Sequence, residues 1–373
     1  MAIYFDNAAT THQNEEVTKE MNTIAIQEFY NAAALYPPSL SVKNKVQHAG
    51  NIIKRKLTKS SQGELIFTSG ATESNNMVIF GKVNKRTQIL CLEGEHSSIY
   101  TPVKHLKDNG YAVSFIPLQR NGMADTAKIV SLLKNIYPES LVLFGLVNSD
   151  TGTIQDAKSI VQNIRAICPT AHIHCDATQA FCKIPFDVVD LDLDSLSISA
   201  HKIHGAKGVG ALWIKSSVHL NPIMFGGGQQ TIRPGTENTP GTIGFGVAVE
   251  IYDTEKNFAI VSNLHTRLIK KLPSKCAVNG INNNPYITNI QLPNIFGQTV
   301  LNALAGDGIF VGLGSACMGT DKNRTLVGMG IPESKTKQVI RISFNPENTL
   351  AEVDTFIERL NEWIDKLSGK IVR

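Results

Sequence analysis

The segment Ser199-Ala-His-Lys-Ile-His-Gly-Ala-Lys-Gly-Val-Gly-Ala-Leu-Trp-Ile214 joins two apolar runs through a polar cluster and a glycine-rich turn. The apolar runs, at residues 195–199 and 209–214, predict two β-strands. Lys202 directly follows the first of them. A lysine in this position is either solvated in the turn or held in place as an imine-forming amine. Pyridoxal phosphate (PLP) enzymes bind their cofactor through such an amine.

Short β-rich runs alternate with helical patterns over residues 60–215, on both sides of this lysine. The predicted strands are 64–69, 88–92, 112–116, 141–147, 173–176, 195–199 and 209–214. The predicted helices are 72–81, 99–109, 126–135 and 157–167. This alternation is typical of an α/β protein with a mostly parallel sheet covered by helices.

The glycine- and threonine-rich segment at 226–244 is predicted to be a long loop, and loops of that length are usually functional. A second unit is predicted after it. One helix over 242–271 is expected to connect to strands at 287–292 and 339–343 and to a final helix at 350–367. The chain of 373 residues exceeds one ordinary compact domain. A large and a smaller domain are therefore expected.

The composition excludes several classes of protein. The 36 basic and 32 acidic residues nearly balance, which gives no reason to expect nucleic acid or a membrane as a partner. No run approaches the roughly 20 apolar residues that span a bilayer, and no secretory signal begins the sequence. Six scattered cysteines without metal-ligand spacing indicate reduced thiols, so a cytoplasmic protein without a metal site is expected.

Two motifs follow predicted strands. Thr68-Ser-Gly-Ala-Thr72-Glu73 stands where a strand passes into a helix. Its backbone N–H groups and the Thr72 hydroxyl suit a phosphate; the alternative is an ordinary helix N-cap by Ser69 or Thr72. Ile173-His-Cys-Asp176-Ala-Thr-Gln179 places an acid at a strand end. That carboxylate either caps the next segment or faces a pyridinium nitrogen and keeps it protonated.

Three further stretches contain candidate site residues. His96 follows a strand and is either structural or a proton carrier beside an aromatic cofactor. Arg341 lies inside a β-like run, where its guanidinium pairs either with an internal acid or with a substrate carboxylate. The loop 226–238, which contains Arg233 and Thr236, is either a flexible surface loop or an anion contact in the same or a neighbouring subunit.

Cys317 has a different context from the other cysteines. It lies in Gly312-Leu-Gly-Ser-Ala-Cys-Met-Gly319, among small residues, whereas the other five lie in or beside apolar runs. Such a thiol is accessible and mobile, as a nucleophile must be. The alternative is an inert thiol.

Together these motifs resemble the cysteine desulfurases of the NifS/IscS type, within the class V aminotransferases of PLP fold type I. The similarity extends from Tyr4-Phe-Asp-Asn-Ala-Ala-Thr-Thr11 to Arg341-Ile-Ser343, nearly the whole chain. It implies an α/β PLP-dependent transferase fold with a mostly parallel seven-stranded sheet between helices. It also implies a large domain of residues 15–255. Residues 1–14 and 256–373 would form a smaller α+β domain with the catalytic cysteine loop.

The resemblance also implies roles for individual residues. Lys202 forms the imine with PLP, Asp176 faces the pyridine nitrogen, and Gln179 faces the ring hydroxyl. His96 stacks on the ring and takes part in catalysis. The implied phosphate ligands are Ala71, Thr72, Ser199 and His201, together with Thr236 of the partner subunit.

The same resemblance makes Cys317 the sulfur acceptor and Arg341 the ligand of the substrate carboxylate. The chain departs from the family pattern at two places. The family's Asn-Asn-Glu-x-Gly is Asn148-Ser-Asp-Thr-Gly152 here, which puts Ser149 at the cofactor-contacting position. The family's Asn-Pro-Ser-Ser-x-His becomes Asn31-Ala-Ala-Ala-Leu-Tyr36, which retains Asn31 as a candidate substrate ligand.

The implied function is that of a homodimeric cysteine desulfurase. It would take sulfur from L-cysteine, leave L-alanine, and hold the sulfur as a persulfide on Cys317. A sulfur-acceptor protein of iron–sulfur cluster assembly or tRNA thiolation is the implied partner. The alternatives are a selenocysteine lyase, another class V aminotransferase, and a non-catalytic scaffold with the same fold. Lys202, Asp176 and Cys317 argue against the scaffold, because it needs none of them.

Overall fold

The computed structural model describes residues 2–133, 139–227, 232–281, 283–314 and 323–368. Its strands are β1 (Ile3–Phe5), β2 (Glu64–Thr68), β3 (Thr87–Leu92), β4 (Ala112–Ile116), β5 (Glu139–Gly145), β6 (His172–Asp176), β7 (Ser195–Ser199), β8 (Gly210–Ile214), β9 (Ala277–Asn279), β10 (Ile287–Gln291), β11 (Ile309–Val311) and β12 (Val339–Ser343). Its helices are α1 (Glu15–Gln27), α2 (Pro37–Leu57), α3 (Ala71–Lys82), α4 (Ser97–Asp108), α5 (Thr126–Leu133), α6 (Ala157–Ile167), α7 (Thr239–Ile251), α8 (Thr254–Lys271), α9 (Gly297–Gly306), α10 (Arg324–Gly328), α11 (Glu333–Thr336) and α12 (Leu350–Ser368).

A seven-stranded sheet in the order β2-β8-β7-β6-β5-β3-β4 lies at the centre of the fold. All neighbouring strands from β7 to β4 are parallel, whereas β8 is antiparallel to both β2 and β7. This confirms the prediction of a mostly parallel sheet. Successive residues of β5 enter opposite sides of the core: Val142 packs in one apolar cluster and Leu143 in the other. Strands buried on both faces have such continuous apolar sequences.

The parallel strands end at one edge of this sheet. β5 ends at Gly145, β6 at Asp176 and β7 at Ser199. In open α/β sheets, ligands bind outside the carboxyl ends of the strands. The polar residues that follow β6 and β7 are therefore placed where a ligand would be expected.

Two smaller sheets contain the remaining strands. β12, β10 and β9 form an antiparallel sheet, and β1 pairs with β11 in parallel. Isolated bridges connect Asp6 with Ser343 and Gly312 with Arg341. The N-terminal segment therefore lies beside β12 and its arginine, although the two are far apart in sequence.

The single helix predicted over 242–271 is wrong. α7 ends at Ile251 and α8 begins at Thr254. The side chain of Asp253 accepts a hydrogen bond from the backbone N–H of Lys256 at 3.0 Å and so caps the second helix. An aspartate at this point starts a helix more readily than it continues one. None of the described helices combines the length and the apolar character needed to cross a bilayer.

Replacement of Gly210 by alanine should destabilise the fold. An added Cβ would lie 2.6 Å from the carbonyl oxygen of Ile198 and 2.7 Å from the Cα of Gly70, and backbone atoms cannot move aside cheaply. We expect the free energy of unfolding to fall by about 1–3 kcal/mol, measured by urea denaturation. Gly306→Ala is the control, since its Cβ would meet nothing within 4 Å. Equal stability of the two variants would contradict the steric argument.

Candidate active site

Lys202 lies in a short 3-10 turn, Ala200–Lys202, directly after β7. Its Nζ donates hydrogen bonds to the carbonyl oxygens of Ala8 at 2.6 Å and Ala9 at 2.7 Å. Burial lowers the pKa of Lys202 to about 8, and the positive charge of Arg341 acts in the same direction. An appreciable fraction of the amine is therefore neutral at about pH 7–8 and able to attack a carbonyl carbon.

Asp176 ends β6, the strand next to β7. Its Oδ2 accepts a hydrogen bond from Nδ2 of Asn75 at 2.8 Å, and its Oδ1 accepts one from the backbone N–H of Thr178 at 2.9 Å. The second bond is the capping interaction considered as the alternative for this residue. Both carboxylate oxygens thus have fixed partners, which sets the orientation of a nearly buried acid.

The start of α3 has the form of an anion site. Gly70 occupies the N-cap position with a φ of +152°, and no side chain caps the helix there. The backbone N–H groups of the first turn therefore have no partner within the helix. The hydroxyl oxygen of Ser199 lies 3.8 Å from the point that a Cβ on Gly70 would occupy. The alternative of an N-cap by Ser69 or Thr72 is wrong.

Glu73 and Arg233 connect the loop before α7 to the same helix start. Arg233 Nε donates to Glu73 Oε1 at 2.8 Å, and the backbone N–H of Ser69 donates to Glu73 Oε2 at 2.6 Å. Burial opposes ionisation of Glu73, but the hydrogen bonds from Arg233 and Ser69 lower its pKa overall. The described part of the 226–238 loop is therefore anchored beside the start of α3.

His96 is the N-cap of α4, which confirms the structural role considered for it. Its Nδ1 accepts a hydrogen bond from the backbone N–H of Ser98 at 3.1 Å and lies 2.8 Å from the Ser98 hydroxyl. His96 is exposed to solvent. Desolvation by the surrounding protein nevertheless lowers the pKa of His96, against the opposing charge of Asp176. The imidazole is therefore neutral at physiological pH.

Gln179 and His201 complete the surroundings of Lys202. Gln179 donates from Nε2 to the carbonyl oxygen of Ala8 at 2.9 Å, the same oxygen that Lys202 contacts. Its Oε1 accepts a hydrogen bond at 3.2 Å from Lys183, a buried lysine. Burial and then the charge of Lys202 lower the pKa of Lys183 to about 7. The same two causes lower the pKa of His201 to about 4, so this imidazole is neutral.

Arg341 on β12 makes the internal ion pair that was considered as an alternative for it. Its Nη2 lies 2.6 Å from Oδ1 of Asp6, and its Nη1 donates to the carbonyl oxygen of Ser149 at 3.0 Å. Among the described residues, its buried Nε has no hydrogen-bond partner. A Cβ on Gly312 would lie 2.5 Å from Asp6 Oδ1, so only glycine leaves room for the pair. The guanidinium therefore keeps N–H donors that these two contacts do not use.

The remaining predicted residues lie apart from this group or outside the description. Asn31 is exposed between α1 and α2, where its side chain accepts a hydrogen bond from the backbone of Ala33. Thr236 is exposed ahead of α7, and no hydrogen bond within the described chain links it to the other predicted phosphate ligands. Cys317 lies outside the described residues. The Asn148 side chain is used in the 148–151 turn and does not replace an asparagine at position 149.

Residues 3–356 match the model of the class V aminotransferases. The chain belongs to the class V aminotransferase family.

Relatives of this class V aminotransferase cover nearly its whole length. The cysteine desulfurase IscS of Clostridium botulinum is 32% identical over 386 residues, which covers 96% of this chain and 93% of the relative. The NifS-like protein from Rickettsia africae has a TM-score of 0.89 and 28% identity, and the match covers 98% of this chain and all of that one. SspA in complex with cysteine has a TM-score of 0.80 and 28% identity over 93% of this chain.

PLP is the cofactor of this family and hence of this chain. The described residues fit it on three observations. A lysine with a lowered pKa, a carboxylate of fixed orientation and a helix start open to an anion meet at one edge of the sheet. These groups match the aldehyde, ring nitrogen and phosphate of PLP.

The sequence analysis missed Asn75, Ser98, Lys183 and the ion-pair partner Asp6. Asn75 lies in the second turn of α3 and Ser98 in the first turn of α4, near residues that were predicted as ligands. No pattern in one sequence indicates that they meet Asp176 from different elements. Lys183, in Cys182-Lys-Ile-Pro, looks like an ordinary surface lysine until burial is known.

Glu95→Gln should flatten the pH dependence of stability. Glu95 is 7% exposed and accepts a hydrogen bond from the backbone N–H of Gly145 at 2.8 Å. Burial raises its pKa to about 8, and the charge of Asp176 adds to this. In the unfolded chain this carboxyl group loses its proton at about pH 4.3. The higher proton affinity of the folded state therefore stabilises the fold fully below that pH, and this contribution is lost as the pH rises to about 8.

The measurement is the urea unfolding free energy from pH 5 to 9 (roughly), since a tenfold difference in proton affinity corresponds to about 1.4 kcal/mol. Glutamine keeps the acceptor oxygen and carries no titrating proton, so the variant should lose less stability toward alkaline pH than the wild type. Glu64→Gln, at an exposed position of β2, is the control and should retain the wild-type slope. Parallel curves for Glu95→Gln and the wild type would contradict a protonated Glu95.

Proposed function

We infer that the chain is a PLP-dependent cysteine desulfurase, which removes sulfur from L-cysteine and leaves L-alanine. One observation carries this inference. Lys202, Asp176 and the open start of α3 meet at the carboxyl edge of the sheet, in a chain 32% identical over 96% of its length to a cysteine desulfurase. A selenocysteine lyase would need the same groups. We place it second because the named relatives are cysteine desulfurases.

We propose that these residues hold PLP as the resemblance implies. Lys202 tethers the cofactor through its amine, Asp176 pairs with the ring nitrogen, Gln179 faces the ring hydroxyl, and His96 stacks on the ring. The phosphate ligands would be Ala71, Thr72, Ser199 and His201 of one subunit, with Thr236 of the partner subunit. Ser149 lies at the remaining contact position, and its carbonyl already holds Arg341.

PLP, when bound, supplies an electron-withdrawing ring that stabilises negative charge on the substrate's α-carbon. The residues of the chain bind the substrate and transfer protons. Arg341 is the proposed ligand of the substrate carboxylate, because its contacts with Asp6 and Ser149 leave further N–H groups of the guanidinium unused. Asn31 is the second proposed substrate ligand. Lys202, with its pKa lowered to about 8, can take and return a proton near neutral pH.

Cys317 is proposed as the sulfur acceptor. Its thiolate attacks the sulfur of the substrate, so that an S–S bond forms while the bond between sulfur and Cβ breaks. The electron pair of the broken bond stays with the substrate carbon, which takes up a proton to become alanine. The enzyme then carries a persulfide, and a sulfur-acceptor protein of iron–sulfur cluster assembly or tRNA thiolation would remove it.

Burial argues against the other candidate thiol. Cys175 adjoins Asp176 but is completely buried, on the opposite side of β6, within the main apolar cluster. Burial raises the pKa of the Cys175 thiol well above its ordinary value. Because the thiolate is the nucleophile, Cys175 is poorly suited to attack sulfur.

Cys317→Ser should keep the visible absorbance of bound PLP yet reduce sulfide release from cysteine by about two orders of magnitude or more. A hydroxyl is a far weaker nucleophile than a thiolate at neutral pH. Cys175→Ser is the matched control and should retain turnover. In the wild type, mass spectrometry after cysteine without reductant should find one added sulfur on the Cys317 peptide. Sulfur on the Cys175 peptide, or normal turnover of Cys317→Ser, would contradict the assignment.

A homodimer with shared sites is proposed from the Thr236 assignment. Apolar side chains exposed around α1 and α2 are consistent with a partner surface, including Ile26 at 74%, Phe29 at 69% and Leu35 at 87% exposed. We also propose that residues 15–255 form the large domain, with 1–14 and 256–373 as the small one. The parallel pairing of β1 with β11 supports that division. The five described cysteines are free thiols, which supports a reduced, cytoplasmic compartment.

Mixing a Lys202→Ala chain with a Thr236→Ala chain should restore activity. If Thr236 serves the partner's site, each heterodimer has one site with both groups intact, so a 1:1 mixture should regain about a quarter of wild-type activity. The assay is alanine formation after exchange of subunits, with each variant alone as the control. A fully active monomer by light scattering, or no gain on mixing, would contradict the shared site.

A further inference from the structure

A cluster of buried polar side chains lies behind Asp176, and the proposed chemistry does not use it. Its members are Asn75, Ser98, His172, His174 and Ser195. Asn75, His174 and Ser195 are completely buried, and Ser98 and His172 are 6% exposed. Polar groups are costly to bury, and apolar residues would fill this space at lower cost.

Asn75, in the second turn of α3, is the centre of this cluster. Its Nδ2 donates two hydrogen bonds of 2.8 Å, one to Oδ2 of Asp176 and one to the hydroxyl of Ser98. Its Oδ1 lies 2.9 Å from Nε2 of His174. One amide therefore joins three elements: β6, α4 and its own helix.

The carboxylate sets the direction of every hydrogen bond on one branch. The NH₂ group of Asn75 donates to Asp176, so the oxygen of the same amide faces His174. His174 must then donate from Nε2. Burial lowers the pKa of His174, so this ring is neutral and its Nδ1 accepts from the Ser195 hydroxyl at 2.8 Å. Ser195 in turn accepts from Nε2 of His172 at 2.8 Å.

The second branch leads to His96. The Ser98 hydroxyl accepts from Asn75, so its own proton is directed at Nδ1 of His96, 2.8 Å away. The backbone N–H of Ser98 donates to the same nitrogen at 3.1 Å. With two donors aimed at Nδ1, the proton of the neutral imidazole lies on Nε2.

We propose that Asn75 is a positioning residue of the cofactor site. Its amide holds the Asp176 carboxylate and, through Ser98, holds the His96 ring with its proton on Nε2. The oxygen of the same amide lies 2.9 Å from Nε2 of His174. The inference rests on the proposed roles of Asp176 and His96 toward PLP. It adds that these two contacts are not independent, because one buried amide orients both.

Asn75→Asp tests the first branch in the holoenzyme without changing side-chain shape. It places a second carboxyl group against Asp176, and two such groups share a proton because both cannot be ionised. With PLP labelled with ¹⁵N in the ring, the ring-nitrogen shift should move from the protonated toward the unprotonated position. PLP should also bind the apoprotein about tenfold or more weakly, by fluorescence titration.

Asn76→Asp is the matched control on the same helix. Asn76 is half-buried and donates to the carbonyl oxygens of Thr72 at 2.8 Å and Ser98 at 3.4 Å, without contacting Asp176. This variant adds the same charge one residue away. It should leave the ring-nitrogen shift and the affinity for PLP as in the wild type.

Ser98→Ala tests the second branch by removing one oxygen atom, with the exposed Ser97→Ala as its control. The Nδ1 of His96 then loses one of its two donors. In Ser98→Ala, ¹⁵N spectra of the histidine rings should show that His96 takes up a second proton at higher pH than in the wild type. Ser97→Ala should leave that titration unchanged.

The outcomes separate this inference from the proposed function. A protonated ring nitrogen in the wild type that stays protonated in Asn75→Asp overturns the inference and leaves the role of Asp176 intact. An unprotonated ring nitrogen in the wild type removes that role and the inference with it. If Asn75→Asp does not fold, Ser98→Ala is the deciding test. If His96 takes up its second proton at the same pH in Ser98→Ala as in Ser97→Ala, the proposal is overturned. A higher pH in Ser98→Ala supports it.

Discussion

The parallel pairing of β6 with β7 is the constraint on which the rest of the site depends. Asp176 pairs with Ser197 in this register, so both strands end at the same edge, and Lys202 follows the second strand by three residues. Parallel strands need a crossover, which separates Asp176 from Lys202 in sequence while their strand ends stay adjacent. The start of α3 and the N-terminal segment are then packed around this edge, where the carbonyl of Ala8 contacts both Lys202 and Gln179.

Burial and the charges around this edge together lower the pKa values of its amines. Arg341 lowers the pKa values of Lys183 and Lys202, and Lys202 lowers the pKa of Lys183. Burial is the larger cause for both lysines. Asp6 and Asp176 oppose this effect at Lys202. The balance leaves a lysine with a pKa of about 8 among neutral imidazoles. An anionic cofactor and an anionic substrate would both relieve the surplus of positive charge.

Local patterns were sufficient for the central sheet but not for every helix. The strands at 112–116 and 195–199 have the predicted bounds, although β4 is only partly buried and β7 alternates serine with apolar residues. The break between α7 and α8 was missed, since only Tyr252 and Asp253 separate the two helices. Helices α1 and α2 and the short strand β1 were missed as well. Short strands carry too few residues for a period to be recognised.

The sequence by itself determined the fold class, the order of strands and helices around Lys202 and the family, because each depends on residues close together in the chain. It also identified Lys202, Asp176, His96 and Gln179 as residues to examine. Only the tertiary structure decided that Asp6 forms an ion pair with Arg341 and that the buried Lys183 donates to Gln179. It also decided that Asn75 donates to both Asp176 and Ser98. The contacts of Arg341 and Asn75 link residues 23 to 335 positions apart, and the contact of Lys183 depends on its burial. Neither leaves a pattern in a single sequence.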